Sequence, residues 1–299
     1  MTNTAWVLLA ALSVLWGGSF LFVGVAGEAM APLAVVWLRV AGAALALWLV
    51  VLASGGRVPR ERRAWMALAG MGLLNNAVPF TLIATAQTTI DAGLAAILNA
   101  MTPISTMLIA HLATRDDALT PARLAGAGLG LAGVAVLVGP SALGGLGGEV
   151  WAQLAVLAAT LSYGVAALWS RRLKGLGLDA TTTAAGQVTA STLWLAVPTL
   201  ALAPPWAVAG AGVEVWASVA ALALLSTALA YVLFFRVVAL AGGSNVMLVT
   251  LLVPVSATLM AWVLLGERLE PRAFLGMGLI GLGLVAIDGR VLRARARSR

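Results

Sequence analysis

Apolar residues in this chain gather into runs of about twenty, separated by short polar stretches. About 20 mostly apolar residues cross the hydrocarbon core of a bilayer as a helix. The pattern predicts ten such helices, near 4–24, 32–53, 64–86, 92–112, 121–139, 149–169, 180–203, 214–236, 244–265 and 271–288. The connections are too short for a soluble domain. The first run starts at Ala5 with no basic stretch before it and no small-residue cleavage site after it, so it reads as a retained helix.

The pattern also occurs twice. An offset of 151 lays Trp65 on Trp216, Leu73 and Leu74 on Leu224 and Leu225, Phe80 on Tyr231, and Pro103 on Pro254. After a one-residue slip, an offset of 150 lays Pro121, Gly126, Gly128 and Gly133 on Pro271, Gly276, Gly278 and Gly283. Each copy holds five runs, and an odd number makes the second copy enter the membrane from the opposite face. The expected fold is an all-α membrane protein of ten transmembrane helices in a 5+5 inverted repeat. Residues 1–140 form the first five-helix repeat, 149–289 the second, and 290–299 a basic tail. Carriers built this way hold their substrate near mid-bilayer between the copies.

Composition agrees, with 62% hydrophobic and 10% charged residues, against about 45–50% and about 25% in soluble domains. Charge supplies the orientation. With the N-terminus cytoplasmic, fifteen of the 18 Lys and Arg residues fall in inner loops or the tail. Arg268 and Arg272 fall outside, and Arg39 lies within the second run. The positive-inside rule then puts both termini in the cytoplasm. The net charge of +7 is a topology signal that leaves no role for nucleic acid. The tail from Arg290 to Arg299 reads first as a stop signal that pins the last helix and second as a site for anionic membrane lipid. Of the tryptophans, Trp16 and Trp194 fall near mid-span, where they pack between helices or line a cavity.

Short motifs then point to a family. Leu15-Trp16-Gly17-Gly18-Ser19-Phe20, Trp37-Leu38-Arg39, the mid-helix prolines Pro103 and Pro254, and Gly266-Glu267-Arg268-Leu269 stand in the right runs and order. The chain resembles the EamA-domain transporters of the drug/metabolite transporter superfamily. The first copy departs from the pattern, with Arg115-Asp116-Asp117 where Gly-Glu is expected. The resemblance implies a bacterial inner-membrane exporter of small metabolites, amino acids first among them, working by alternating access. A broad exporter of drug-like amphiphiles and a lipid-handling or regulatory membrane protein are the other readings.

Polar side chains inside the apolar runs are the candidate chemistry, because each needs a partner or a purpose in hydrocarbon. The expected substrate-binding set is Trp16, Ser19, Arg39, Asn75, Asn76, Phe80, Asn99, Thr102, Pro103, Tyr163, Tyr231, Thr250 and Pro254. Prolines 103 and 254 free the carbonyls of Asn99 and Thr250, which either suit a substrate ammonium group or are satisfied by a neighbouring hydroxyl. Arg39 either snorkels, meets helix carbonyls or meets a substrate carboxylate; Gln187 is its counterpart by an offset of 148. Glycines of the fifth and tenth runs allow close helix contact, between repeats or between protomers. No Asp or Glu is central in any run, there is no Cys, and the one His, His111, lies at a run end. No enzyme, metal site, cofactor or carboxylate proton relay is therefore expected, and the expected state is a monomer or weak oligomer.

Overall fold

A computed structural model describes residues 1–90, 92–113, 120–140, 149–208, 210–265 and 271–288. Asp91, the Arg115-Asp116-Asp117 departure, the Gly266-Glu267 motif and the basic tail lie outside these residues. The described residues hold helices and no strand. In the first copy these are α1 (Asn3–Gly27), α2 (Pro32–Ala53), α3 (Arg62–Gly72) continued by α4 (Val78–Ala86), α5 (Ala92–Asn99) continued by α6 (Thr102–Ala113), and α7 (Pro121–Val138). In the second they are α8 (Val150–Trp169), α9 (Ala180–Leu202), α10 (Val213–Ala223) continued by α11 (Ala230–Ala241), α12 (Gly243–Val246) continued by α13 (Val249–Leu265), and α14 (Pro271–Asp288).

Local chemistry sets the ends. The Thr2 hydroxyl accepts from the Ala5 N–H at the start of α1, and Thr120 and Pro121 open α7. Pro32 occupies the first turn of α2, where its missing N–H costs nothing. Gly242, at φ 87°, turns the chain between α11 and α12.

Among the described residues, seven helical segments are long and apolar enough to cross a membrane. Pro121–Leu137 and Pro271–Ile287 are apolar but shorter. Ala180–Leu202 is long but carries many threonines, and the structure shows why. Its buried face holds Thr182, Thr183, Gln187, Ser191 and Thr199, with Gln187 and Ser191 donating to Asn76 and the Gly72 carbonyl of the third run. Beside it the indoles of Trp37 and Trp48 of α2 donate to the Thr192 carbonyl and the Thr189 hydroxyl. Its other face exposes Leu193 and Val197 at 68% and 77%. Trp194 is half exposed and donates to the Ala69 carbonyl, so it neither lines a cavity nor fills the interior.

The two copies interlock. A Cβ on Gly126 would lie 2.7 Å from the Gly283 carbonyl oxygen, and one on Gly133 would lie 2.8 Å from that of Gly276. The converse holds at 2.5 Å for Gly283 against Gly126 and 2.7 Å for Gly276 against Gly133. The glycines of α7 and α14 thus join the two copies, backbone against backbone. Elsewhere Gly17 brings α1 onto α13 at Val253 and Ala257, and Gly164 brings α8 onto α6 at Ser105 and Thr106.

Candidate substrate cavity

The third and eighth runs each contain a widened turn. Residues Leu73–Ala77 and Leu224–Leu229 are π-helical, and the repeat offset lays one on the other. Such turns occur often at functional sites. They alter the hydrogen-bonding pattern locally, and carbonyls here accept from other helices. Leu74 accepts from the Ser162 hydroxyl at 2.7 Å and Asn75 from the Tyr231 hydroxyl at 3.1 Å. Ser226 accepts from Arg39 Nη2 at 3.1 Å, and its own hydroxyl donates to the Leu15 carbonyl.

Arg39 is fixed by the second of these turns. Its Nε donates to the Thr227 hydroxyl at 2.6 Å, and that hydroxyl donates onward to the Leu222 carbonyl. The guanidinium also lies 4.0 Å over the ring of Phe80. It is 6% exposed and does not snorkel. Among the described residues no carboxylate pairs with it, and two of its five N–H groups are used. The repeat-related contact is neutral: Gln187 Nε2 donates to Asn76 Oδ1.

Beside Arg39 is a cavity open to solvent, with about 790 Å³ of empty space when the solvent at its mouth is counted. One end of it is bounded by Val23, Val35 and Gln87, near the ends of α1, α2 and α4. At mid-helix depth it reaches Trp16, Asn75, Asn99, Tyr163, Tyr231 and Thr250. Three polar atoms on this wall are buried without a partner, namely Trp16 Nε1, Asn75 Nδ2 and Asn99 Oδ1. The rings of Trp16, Tyr231, Phe234 and Phe235 pack against one another in edge-to-face and tilted contacts, with centroids 5.1–6.2 Å apart.

Of the expected residues, Trp16, Ser19, Arg39, Asn75, Phe80, Asn99, Tyr163, Tyr231 and Thr250 line this cavity. Asn76, Thr102, Pro103 and Pro254 stand outside its lining. Asn76 Oδ1 accepts from Gln187, and its Nδ2 is buried without a partner. The Thr102 hydroxyl donates 2.6 Å to the Asn99 carbonyl, so the acceptor freed by Pro103 is already satisfied. The prolines also act unequally. The chain breaks at Ala100 and Met101 just before Pro103, whereas α13 runs through Pro254 and the break lies earlier, at Met247 and Leu248. The apolar wall of Phe20, Val23, Val35, Val36, Ile83, Met247 and Val253, with Gln87, was not expected. Gln87, a lone amide at the end of an apolar run, was the one readable signal among them.

The sequence profile of the EamA-like transporter family matches residues 4–139 and 150–287. This chain belongs to that family. It is therefore a transporter and not an enzyme, a multi-pass protein of the inner membrane. A probable terminal-alkyne amino-acid exporter of Streptantibioticus cattleyicolor is 30% identical over 302 residues, covering 99% of this chain and 96% of that one. The uncharacterized inner membrane transporter YedA of Escherichia coli (strain K12) is 26% identical over 169 residues, 55% of this chain and 52% of its own length. A solved crystal structure superposes over 99% of both chains with a TM-score of 0.78 at 24% identity, a likeness of fold alone. As an EamA-like transporter, the protein moves a solute, and the cavity between its two copies is the candidate path.

Proposed function

We propose that this EamA-like transporter exports small zwitterionic metabolites, amino acids with apolar side chains first among them. It would do so by alternating access between two inverted five-helix repeats, residues 1–140 and 149–289, with ten spans and both termini cytoplasmic. The observation that carries the reading is the wall beside Arg39. A guanidinium buried without a counter-ion is costly in a low dielectric, and a substrate carboxylate supplies the missing charge. Trp16 Nε1 and Asn75 Nδ2 are unpaired donors for the same carboxylate. Asn99 Oδ1 is an unpaired acceptor for the ammonium group, and the faces of Tyr163 and Tyr231 add to its attraction. Phe20, Val23, Val35, Val36 and Ile83 would take an apolar side chain. The exporter relative is described by its amino-acid cargo, which agrees with this chemistry. One chain supplies the whole cavity, so a monomer suffices.

Counterflow in proteoliposomes against a panel of amino acids, nucleosides and a cationic amphiphile tests the reading. Amino acids with apolar side chains are expected to exchange. Asn99→Ala is expected to weaken their affinity by roughly 5- to 150-fold, the equivalent of about 1–3 kcal/mol for one or two lost bonds. Thr106→Ala, outside the cavity lining, serves as the control. Transport of the amphiphile alone, or an Asn99→Ala protein with lower thermal stability and unchanged affinity, would remove the zwitterion site.

A further inference from the structure

The two copies present the same positions in opposite states. Phe80, Ile83, Ala84 and Gln87 line the open side of the cavity. Their counterparts by the 151 offset are Tyr231, Phe234, Phe235 and Val238. Of these Tyr231 also reaches the cavity, whereas Phe234, Phe235 and Val238 stand outside its lining and are buried at 1%, 5% and 9% exposure. The protein is open at the Gln87 end and closed at the Val238 end. Alternating access in a repeat protein is the exchange of these two states between the copies, and the role of Arg39 in that exchange rests on the alternating-access reading.

The exchange is not symmetric in charge. Each copy's second helix reaches across to the other copy's π-turn, Arg39 to Ser226 and Thr227, Gln187 to Asn76. Arg39 borders the cavity, whereas Gln187 is 0% exposed and does not. When the facing reverses, Arg39 takes the surroundings that Gln187 has now, sealed against a π-turn. A neutral amide is half paired there, Gln187 Nε2 donating to Asn76 Oδ1 while Gln187 Oε1 and Asn76 Nδ2 have no partner, and an unpaired amide costs less to bury than an unpaired charge. A guanidinium would be cut off from the cavity with hydroxyl and carbonyl partners only, and no described carboxylate goes with it. The reverse change costs Gln187 nothing comparable.

We infer that Arg39 is the residue that sets the resting state of the empty carrier: its charge, opposed by neutral Gln187, holds the protein open at the Gln87 end. A substrate carboxylate that accompanies Arg39 into the closed half lifts that penalty. Loading therefore favours the turn, and the empty carrier keeps its Gln87 end open.

The chain has no cysteine, so single cysteines report cleanly. Gln87→Cys and Val238→Cys are made separately in the full chain, placed in lipid nanodiscs where both faces meet solvent, and labelled with a water-soluble maleimide. In the otherwise native protein Gln87→Cys is expected to react at least about tenfold faster than Val238→Cys, since minor conformers commonly hold about 0.1–10% of the population. Arg39→Gln should reduce that ratio roughly tenfold or more, while Arg39→Lys, which keeps the charge, should leave it in place. The exchange Arg39→Gln with Gln187→Arg keeps the charge count and should invert the ratio, which covers a poorly folding single variant. Phe234→Ala, which loosens the sealed end directly, separates the two ideas. If it exposes Val238→Cys while Arg39→Gln and the charge exchange change nothing, two facings exist and the role of Arg39 is wrong. An Arg39→Lys protein that behaves like Arg39→Gln would overturn the role of charge. If no variant, Phe234→Ala included, alters either rate, the two-facing reading fails and this inference with it.

Discussion

Asp179 closes the loop before α9, accepting from the Thr182 N–H and, through its other oxygen, from the Thr182 hydroxyl. Partial burial pushes its carboxyl pKa up, but the bonds from Thr182 and the nearby backbone outweigh this and hold it below the usual carboxylate range. A lowered native pKa means the cap's charge-dependent contribution is complete above the unfolded value of about 3.9 and is lost as pH falls through the native one. Asp179→Ala is therefore expected to cost about 0.5–2 kcal/mol of stability. That loss should be constant from pH 5 to 8 and shrink only in acid below the ordinary carboxylate range, as followed by thermal unfolding in detergent. Residues of this kind are legible because capping is local in sequence. The cavity was legible where a polar group interrupts an apolar run, as at Asn75, Asn99 and Arg39. It was not legible at Val35 or Val36, because a valine facing a cavity and one facing lipid are the same letter. Nor did the sequence reveal that the Thr102 hydroxyl would turn back to the Asn99 carbonyl, since a neighbouring helix offered an equally good partner.

At the scale of elements, α7 and α14 meet through glycines whose absent Cβ atoms define the contact. Gly126→Ala or Gly283→Ala would place a methyl 2.7 or 2.5 Å from a backbone carbonyl oxygen of the facing helix. Backbone cannot rotate away as a side chain can, so each is expected to cost about 1–3 kcal/mol. Gly128→Ala and Gly278→Ala add a methyl to open space, and are expected to be neutral or slightly stabilising. Thermal unfolding of the four variants checks the contrast, and equal losses in all four would contradict the seam. The glycine spacing made close packing legible, but not the partner, because repeat against repeat and protomer against protomer need the same small residues. The π-turns were not legible at all. Their polar pairs, Asn75-Asn76 and Ser226-Thr227, read as interruptions of an apolar run but not as widened turns, whose carbonyls accept from Ser162, Tyr231 and Arg39 on other helices.

For the whole molecule, the order of helices and the repeat were legible from apolar run length and the offset, because both are written at long range in plain hydropathy. The seventh span was the hard case, since α9 is polar where it faces α2 and the third run. Single cysteines test it. Val58→Cys and Leu176→Cys are expected to react only from the cytoplasm, and Gly27→Cys and Gly210→Cys only from outside, in spheroplasts labelled with an impermeant maleimide. Residues 176 and 210 on the same face would remove that span and the inverted arrangement together. The seam between α7 and α14 also bears on how the molecule comes together. By the 150 offset Gly126 matches Gly276 and Gly133 matches Gly283, yet Gly126 meets Gly283 and Gly133 meets Gly276. Such reciprocity is the mark of an isologous interface, the kind a two-fold dimer makes with itself. Two free protomers would find that interface only at sufficient density in the bilayer. Joining them in one polypeptide, from residue 140 to residue 149, replaces that dependence with an effective concentration near the millimolar range. A carrier so joined has its α7–α14 contact in place as soon as it is made, however few copies the cell holds.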